Sequence, residues 1–204
     1  MKLRLVLFNI LLGATLAAFA ADDVAIVGMV QVTHNSTGFG YGTLQTQSSP
    51  ISPGFSVEYR HWWSGEGAWR DRGLAITYSV ASSGARFVAL SPPYGVVKFG
   101  LNRHEFDVGY VHRFHIGSAL SPYLKAGAGG FITNGGMAPG GVLGTDGQFD
   151  AVAEAGADTR ITRHLGLRYG ATLHWFRAPN FSDTNYSASR TWIVEPMVGL
   201  SWRF

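Results

Sequence analysis

From Thr191 to Phe204 every second residue is apolar: Trp192, Val194, Pro196, Val198, Leu200, Trp202 and Phe204 fall on one face, Glu195, Ser201 and Arg203 on the other. A period of two reads as a β-strand with unlike faces. The same alternation recurs over approximately 24–34, 51–63, 72–83, 103–114, 122–132, 149–159 and 165–176, giving eight expected strands in all. Their apolar faces, such as Leu74, Ile76, Tyr78 and Val80 or Leu167, Tyr169, Ala171, Leu173 and Trp175, hold no charge.

The amino terminus points to export. Lys2 and Arg4 precede an apolar run from Leu5 to Phe19 that closes on Ala18-Phe19-Ala20, the pattern of a cleaved signal peptide and too short for a membrane span. Residues 1–20 are expected to be removed, leaving 21–204 as one domain. That cleavage takes two of the sixteen Lys and Arg, leaving fourteen against thirteen Asp and Glu, so the charge balance supplies no case for nucleic acid. Cysteine is absent, which excludes disulfides and thiolate metal sites.

Charged residues are only 14% of the chain, below the ~25% of ordinary soluble domains. The longest unbroken apolar run after the signal is Val24 to Val30, so no helix could span a bilayer. A closed barrel is the other structure that satisfies every backbone group in hydrocarbon. Segments between strands alternate long (35–50, 84–102, 133–148, 177–190) and short (64–71, 115–121, 160–164), as expected of an up-and-down barrel with external loops at one end and periplasmic turns at the other.

The faces opposite the apolar ones carry Glu58, Arg60, Glu105, Asp107, Arg113, Lys125, Asp150, Glu154, Asp158, Arg160, Arg168, Glu195 and Arg203, interleaved with glycines. Near-balance of sign implies paired charges inside a barrel whose lumen is only wide enough for side chains. An exported lipocalin-like barrel, with apolar faces inward, shares the alternation. The glycine-rich charged face, aromatic residues near strand ends and the terminal phenylalanine favour lipid. Trp62, Trp63 and Trp69 are expected in the periplasmic aromatic belt, and Pro196 predicts a bulge at the seam between first and last strands.

With these features the chain resembles the small eight-stranded outer-membrane barrels of the OmpA, OmpX and opacity-protein type. The resemblance implies an all-β, eight-stranded antiparallel transmembrane barrel in the bacterial outer membrane, monomeric and without a cofactor or metal. It also implies that Val198, Leu200, Trp202 and Phe204 are read by the barrel-assembly machinery. Two sites follow as expectations. His174 and Glu195 share an inward face on neighbouring strands, with Thr172 beside them, and a register pairing residues near 176 and 191 brings them together; a His polarised by a Glu can act as a general base. This is similar to lipid A deacylase barrels, but the position of their serine nucleophile is Phe176 here, so a hydrogen-bonded lumen pair is the expectation. Arg86, Lys98, Arg103, Arg177 and Arg190 cluster at the external end, where they would meet lipopolysaccharide phosphates. The functional expectation is a non-catalytic barrel with surface loops for envelope or surface interaction.

Overall fold

The computed structural model describes residues 22–33, 39–41, 44–48, 51–63, 71–89, 96–114, 119–135, 137–138, 141–142, 145–177 and 190–204. The expected signal peptide and Trp69 lie outside them. In chain order the strands are β1 (Asp22–Thr33), β2 (Phe39–Tyr41), β3 (Leu44–Ser48), β4 (Ile51–Trp62), β5 (Arg72–Ala89), β6 (Val96–Arg113), β7 (Leu120–Gly135), β8 (Met137–Ala138), β9 (Gly141–Val142), β10 (Thr145–Arg160), β11 (Leu165–Arg177) and β12 (Arg190–Arg203). The eight long ones form the wall, in the order β1, β4, β5, β6, β7, β10, β11, β12, each antiparallel to the next, with β12 closing on β1. Among the described residues no helix is long and apolar enough to cross a membrane, and the strands do the crossing.

Closure is staggered. Following directly paired residues from Asp23 through Arg60, Ala75, Gly109, Gly127, Val152, His174 and Ile193 returns to β1 at Thr33, ten residues along. Such a stagger tilts the strands and sets the width of the lumen. Every wall pairing keeps a single register along its length.

The polarity of the wall is inverted relative to a soluble barrel. Ile26, Phe55, Phe106, Leu124 and Leu200 are each more than half exposed, whereas Glu58, Arg60, Lys125 and Arg168 are no more than 4% exposed. Charged groups inside and a continuous apolar belt outside are stable only when the belt meets hydrocarbon. This excludes the lipocalin-like alternative.

Three local expectations change. The segment 84–102, expected as a loop, is mostly strand, because β5 and β6 continue to Ala89 and from Val96; beyond the lipid the outward face becomes Ser82, Gly84, Asn102 and Gly100, and the apolar alternation that marks a strand is no longer required. β2 and β3 extend this long-loop end, β3 pairing with β5. Trp62 points inward and is 3% exposed; its indole N–H donates to Asp23 Oδ2 at 2.7 Å. Trp63 takes the outward place, 5.9 Å from the Tyr110 ring.

Pro196 makes no bulge. On β11 it sits opposite Ala171 without interruption, and on the β1 side the same register holds on both sides of it, from Met29↔Met197 to Val32↔Val194. Only the two rows between lose their pairing, as expected of a residue without an N–H. The side chain of Gln31, one of those two rows, donates to Glu195 Oε1 at 2.5 Å across the gap.

Candidate functional site

The inward residues fill the lumen in two polar tiers between two apolar lids. Near the short-turn end, Trp62, Ala75, Val111 and Tyr123 pack together, with the Arg113 guanidinium 3.9 Å from the Trp62 ring. Near the long-loop end, Phe131, Phe176 and Ile193 form the second cluster, with the two phenylalanine rings edge to face at 4.4 Å.

The lower tier joins strands from all around the wall. Arg168 on β11 donates to Asp158 Oδ1 (2.8 Å), Glu58 Oε1 (2.7 Å) and Asp23 Oδ1 (2.7 Å). Arg60 donates to Glu154 Oε1 (3.1 Å), lies 3.8 Å above the Tyr123 ring, and holds its Nε 2.6 Å from Glu58 Oε1, out of line for a hydrogen bond, so that contact is ionic. Lys125 Nζ stands within 3.2 Å of Glu58, Asp107 and Glu154 and donates to Thr77 Oγ1 at 2.7 Å. Glycines make this possible: a Cβ on Gly109 would lie 2.9 Å from Lys125 Cγ, and one on Gly156 only 2.6 Å from the Tyr123 hydroxyl, which donates to Glu154.

The upper tier centres on His174. Its Nδ1 is 2.7 Å from Asp150 Oδ2, and its Nε2 is 3.3 Å from Glu195 Oε2 and 3.9 Å from Glu105 Oε2. The hairpin register pairs Phe176 with Thr191, which seats Thr172 opposite Glu195. Gln31 Nε2 reaches both glutamates through their Oε1 atoms, at 2.5 Å for Glu195 and 3.4 Å for Glu105, and Ser79 Oγ donates to Glu105 Oε2 at 2.8 Å.

His174 and Glu195 are therefore neighbours, together with Asp150 and Glu105. A His with a carboxylate on one nitrogen can in principle act as a base. Here it is 2% exposed inside the wall, separated from the acyl chains a lipid hydrolase must reach, and among the described residues the hydroxyl that donates into the group, that of Ser79, is turned to Glu105.

Of the five cations expected at the external rim, Arg103 is inward. Its Nη1 donates to Gln31 Oε1 at 2.9 Å, and its guanidinium lies 5.4 Å from the Phe131 ring and 5.8 Å from that of Phe176. The reason is its parity: Arg103 alternates in step with Glu105 and Asp107. The backbone register pairs the other four with one another, Arg86 opposite Lys98 and Arg177 opposite Arg190.

Arg160, expected inward, is exposed at the β10–β11 turn, whereas Asp23 and Gln31 are lumen residues that the sequence reading missed. Their signal was present: Asp23 and Gln31 share parity at the two ends of β1, and the apolar run between them hid it.

No protein-family model and no curated protein sequence matches the chain. Solved structures do. Ail, the attachment invasion locus protein of Yersinia pestis, in complex with the heparin analogue sucrose octasulfate, superposes with a TM-score of 0.55 at 15% identity, over 91% of this chain and 100% of that one. Neisserial surface protein A (NspA) gives 0.57 at 14% identity, over 91% and 97%. The chain has the fold of the small eight-stranded outer-membrane barrels.

Proposed function

We propose that this chain is a non-catalytic, monomeric barrel of the bacterial outer membrane whose long-loop end holds polyanionic groups, foremost the phosphates of lipopolysaccharide. The observation that carries the reading is the register of the rim. Like charges directly opposite each other on a sheet are destabilising, and two such pairs, Arg86 with Lys98 and Arg177 with Arg190, stand in register beyond the apolar belt at the long-loop end. A phosphate or sulfate accepting charge-assisted hydrogen bonds between the members of a pair converts that repulsion into attraction. Ail, of the same fold, has been solved with a polysulfated heparin analogue, which fits this reading. In it, residues 1–20 direct export, Val198, Leu200, Trp202 and Phe204 are recognised during assembly, and the ion-paired lumen is a structural strut closed to solutes.

The test is lipopolysaccharide retention during extraction in mild detergent, comparing the natural chain with the variant R86Q/K98Q/R177Q/R190Q. Retention should fall about tenfold or more, and R103Q, which removes an inward charge, should leave it unchanged. Equal retention by the fourfold variant refutes the polyanion reading. Heat-modifiable gel mobility in the outer-membrane fraction checks the location, and recovery as a detergent-free periplasmic protein would refute it.

A further inference from the structure

The upper lumen tier has a composition that ion pairing alone does not explain. In the lower tier each carboxylate touches an arginine or lysine. In the upper tier Glu105, Asp150 and Glu195 surround His174, and the one permanent cation there among the described residues, Arg103, donates to Gln31. Three carboxylates against one guanidinium leave two negative charges over. A proton on His174 would offset only one.

The geometry points to a binding site for a first-row transition-metal dication, Zn²⁺ being the best fit, formed by His174 Nε2 and the carboxylates of Glu105 and Glu195. The ligand atoms of these three residues lie within 4.8 Å of one another. Two ligands at Zn–N and Zn–O distances of about 2.0–2.1 Å in a tetrahedron stand about 3.3 Å apart; Nε2 is already 3.3 Å from Glu195 Oε2 and 3.9 Å from Glu105 Oε2. Gln31 holds the two Oε1 atoms, which leaves both Oε2 atoms turned to the histidine. On the far side of the ring Asp150 accepts from Nδ1 at 2.7 Å. That bond fixes the tautomer with its proton on Nδ1 and a lone pair on Nε2, the carboxylate–histidine arrangement that orients metal-bound imidazoles.

A cavity of about 10 Å³ with room for one water borders Ser79, Thr172, His174 and Glu195, so a fourth, solvent ligand can be accommodated. The imidazole and the absence of thiolate disfavour both Ca²⁺ or Mg²⁺ and soft monovalent ions. Because the three ligands come from β6, β11 and β12, the ion would tie opposite walls of the barrel. Binding takes the place of any proton on Nε2, which leaves to solvent.

The test uses the whole protein folded in detergent, stripped with EDTA and offered Zn²⁺ or Co²⁺ both during refolding and afterwards. One equivalent of Zn²⁺ by calorimetry, a visible Co²⁺ ligand-field spectrum abolished by Zn²⁺, and a raised thermal unfolding midpoint are expected. His174→Gln should abolish the spectrum, Asp150→Asn should weaken binding 10–100-fold by freeing the ring, and E154Q in the lower tier should leave the stoichiometry and spectrum of metal uptake unchanged. Folded natural protein that takes up no stoichiometric Zn²⁺ overturns the proposal, whether or not the variants fold. So does uptake that survives in His174→Gln, which would mark adventitious binding elsewhere.

Discussion

Replacing Arg168 by methionine tests whether the lumen is held by its ion pairs. Arg168 is 1% exposed and makes hydrogen bonds of 2.7–2.8 Å to three carboxylates from three strands. Without it, Glu58 keeps Arg60 and Lys125 in contact, but the closest remaining partner of Asp23 is the Trp62 indole and that of Asp158 is Arg60 at 3.6 Å. Removing one partner of a buried pair typically costs about 3–5 kcal/mol, because the remaining charge stays buried and unmatched. At 1.4 kcal/mol per factor of ten, the folding constant should fall by roughly two to four powers of ten. Urea titration in liposomes, with the folded fraction read by heat-modifiable mobility and tryptophan fluorescence, measures this directly. Neutralising the stranded acids in the triple variant R168M/D23N/D158N should restore half or more of the loss. A loss below about 1 kcal/mol, or no recovery in the triple variant, would refute the view that charge pairing inside the wall dominates the cost.

Further predictions concern individual positions. Gly156→Val should cost at least about 1–3 kcal/mol, since its Cβ would stand 2.6 Å from both the Tyr123 hydroxyl and the Tyr169 carbonyl oxygen, whereas Gly147→Ala, with nothing within 4 Å of its Cβ position, should stay within about 0.5 kcal/mol; equal effects in urea titration would contradict the packing described. Trp62→Phe should lose about 1–3 kcal/mol by leaving Asp23 Oδ2 without its indole donor, while a lipid-facing tryptophan would tolerate the change. Phe204→Ala should lower the yield of folded barrel in the outer membrane several-fold while refolding in detergent stays unchanged, and equal yields in cells would remove its assembly role.

The wall was readable from the chain because lipid imposes a strict rule on one face of each strand. Leu74, Ile76, Tyr78 and Val80 obey it, and so do the residues of β11 and β12, and the long strands begin and end within a few residues of the expected places, apart from the end of β5 and the start of β6. Legibility failed where lipid stops acting. Ser82 to Gly84 and Gly100 to Asn102 continue the β5–β6 ladder through backbone pairing and a hydrogen bond from the Ser82 hydroxyl to Asn102 Oδ1 (2.9 Å), leaving no apolar signature. It also failed where one property serves either side of the wall: Trp62 suits an aromatic belt by type, but an indole N–H aimed at Asp23 settles it inward. Arg103 was assigned by proximity to a loop, although its parity with Glu105 already placed it in the lumen. The meeting of Glu105 with His174 and Glu195 was beyond reach, because it depends on the stagger by which β6 faces β11 and β12 across the barrel, and no spacing along the chain encodes that.

The continuation of β5 and β6 past the lipid has a further consequence. At ~3.3 Å per residue and a tilt of roughly 40°, the row of Arg86 and Lys98, six residues beyond Val80 and His104, rises about 15 Å above the edge of the apolar belt. Arg177 and Arg190 stand only two residues beyond the Trp175–Trp192 row, about 5 Å up by the same reckoning. On the proposed reading the two pairs would meet different strata of the envelope, the nearer one phosphates attached to the lipid itself and the farther one sugar-borne anions or a soluble polymer arriving from outside. A barrel built this way could stay moored through its lower pair while its upper pair remains available to a visitor.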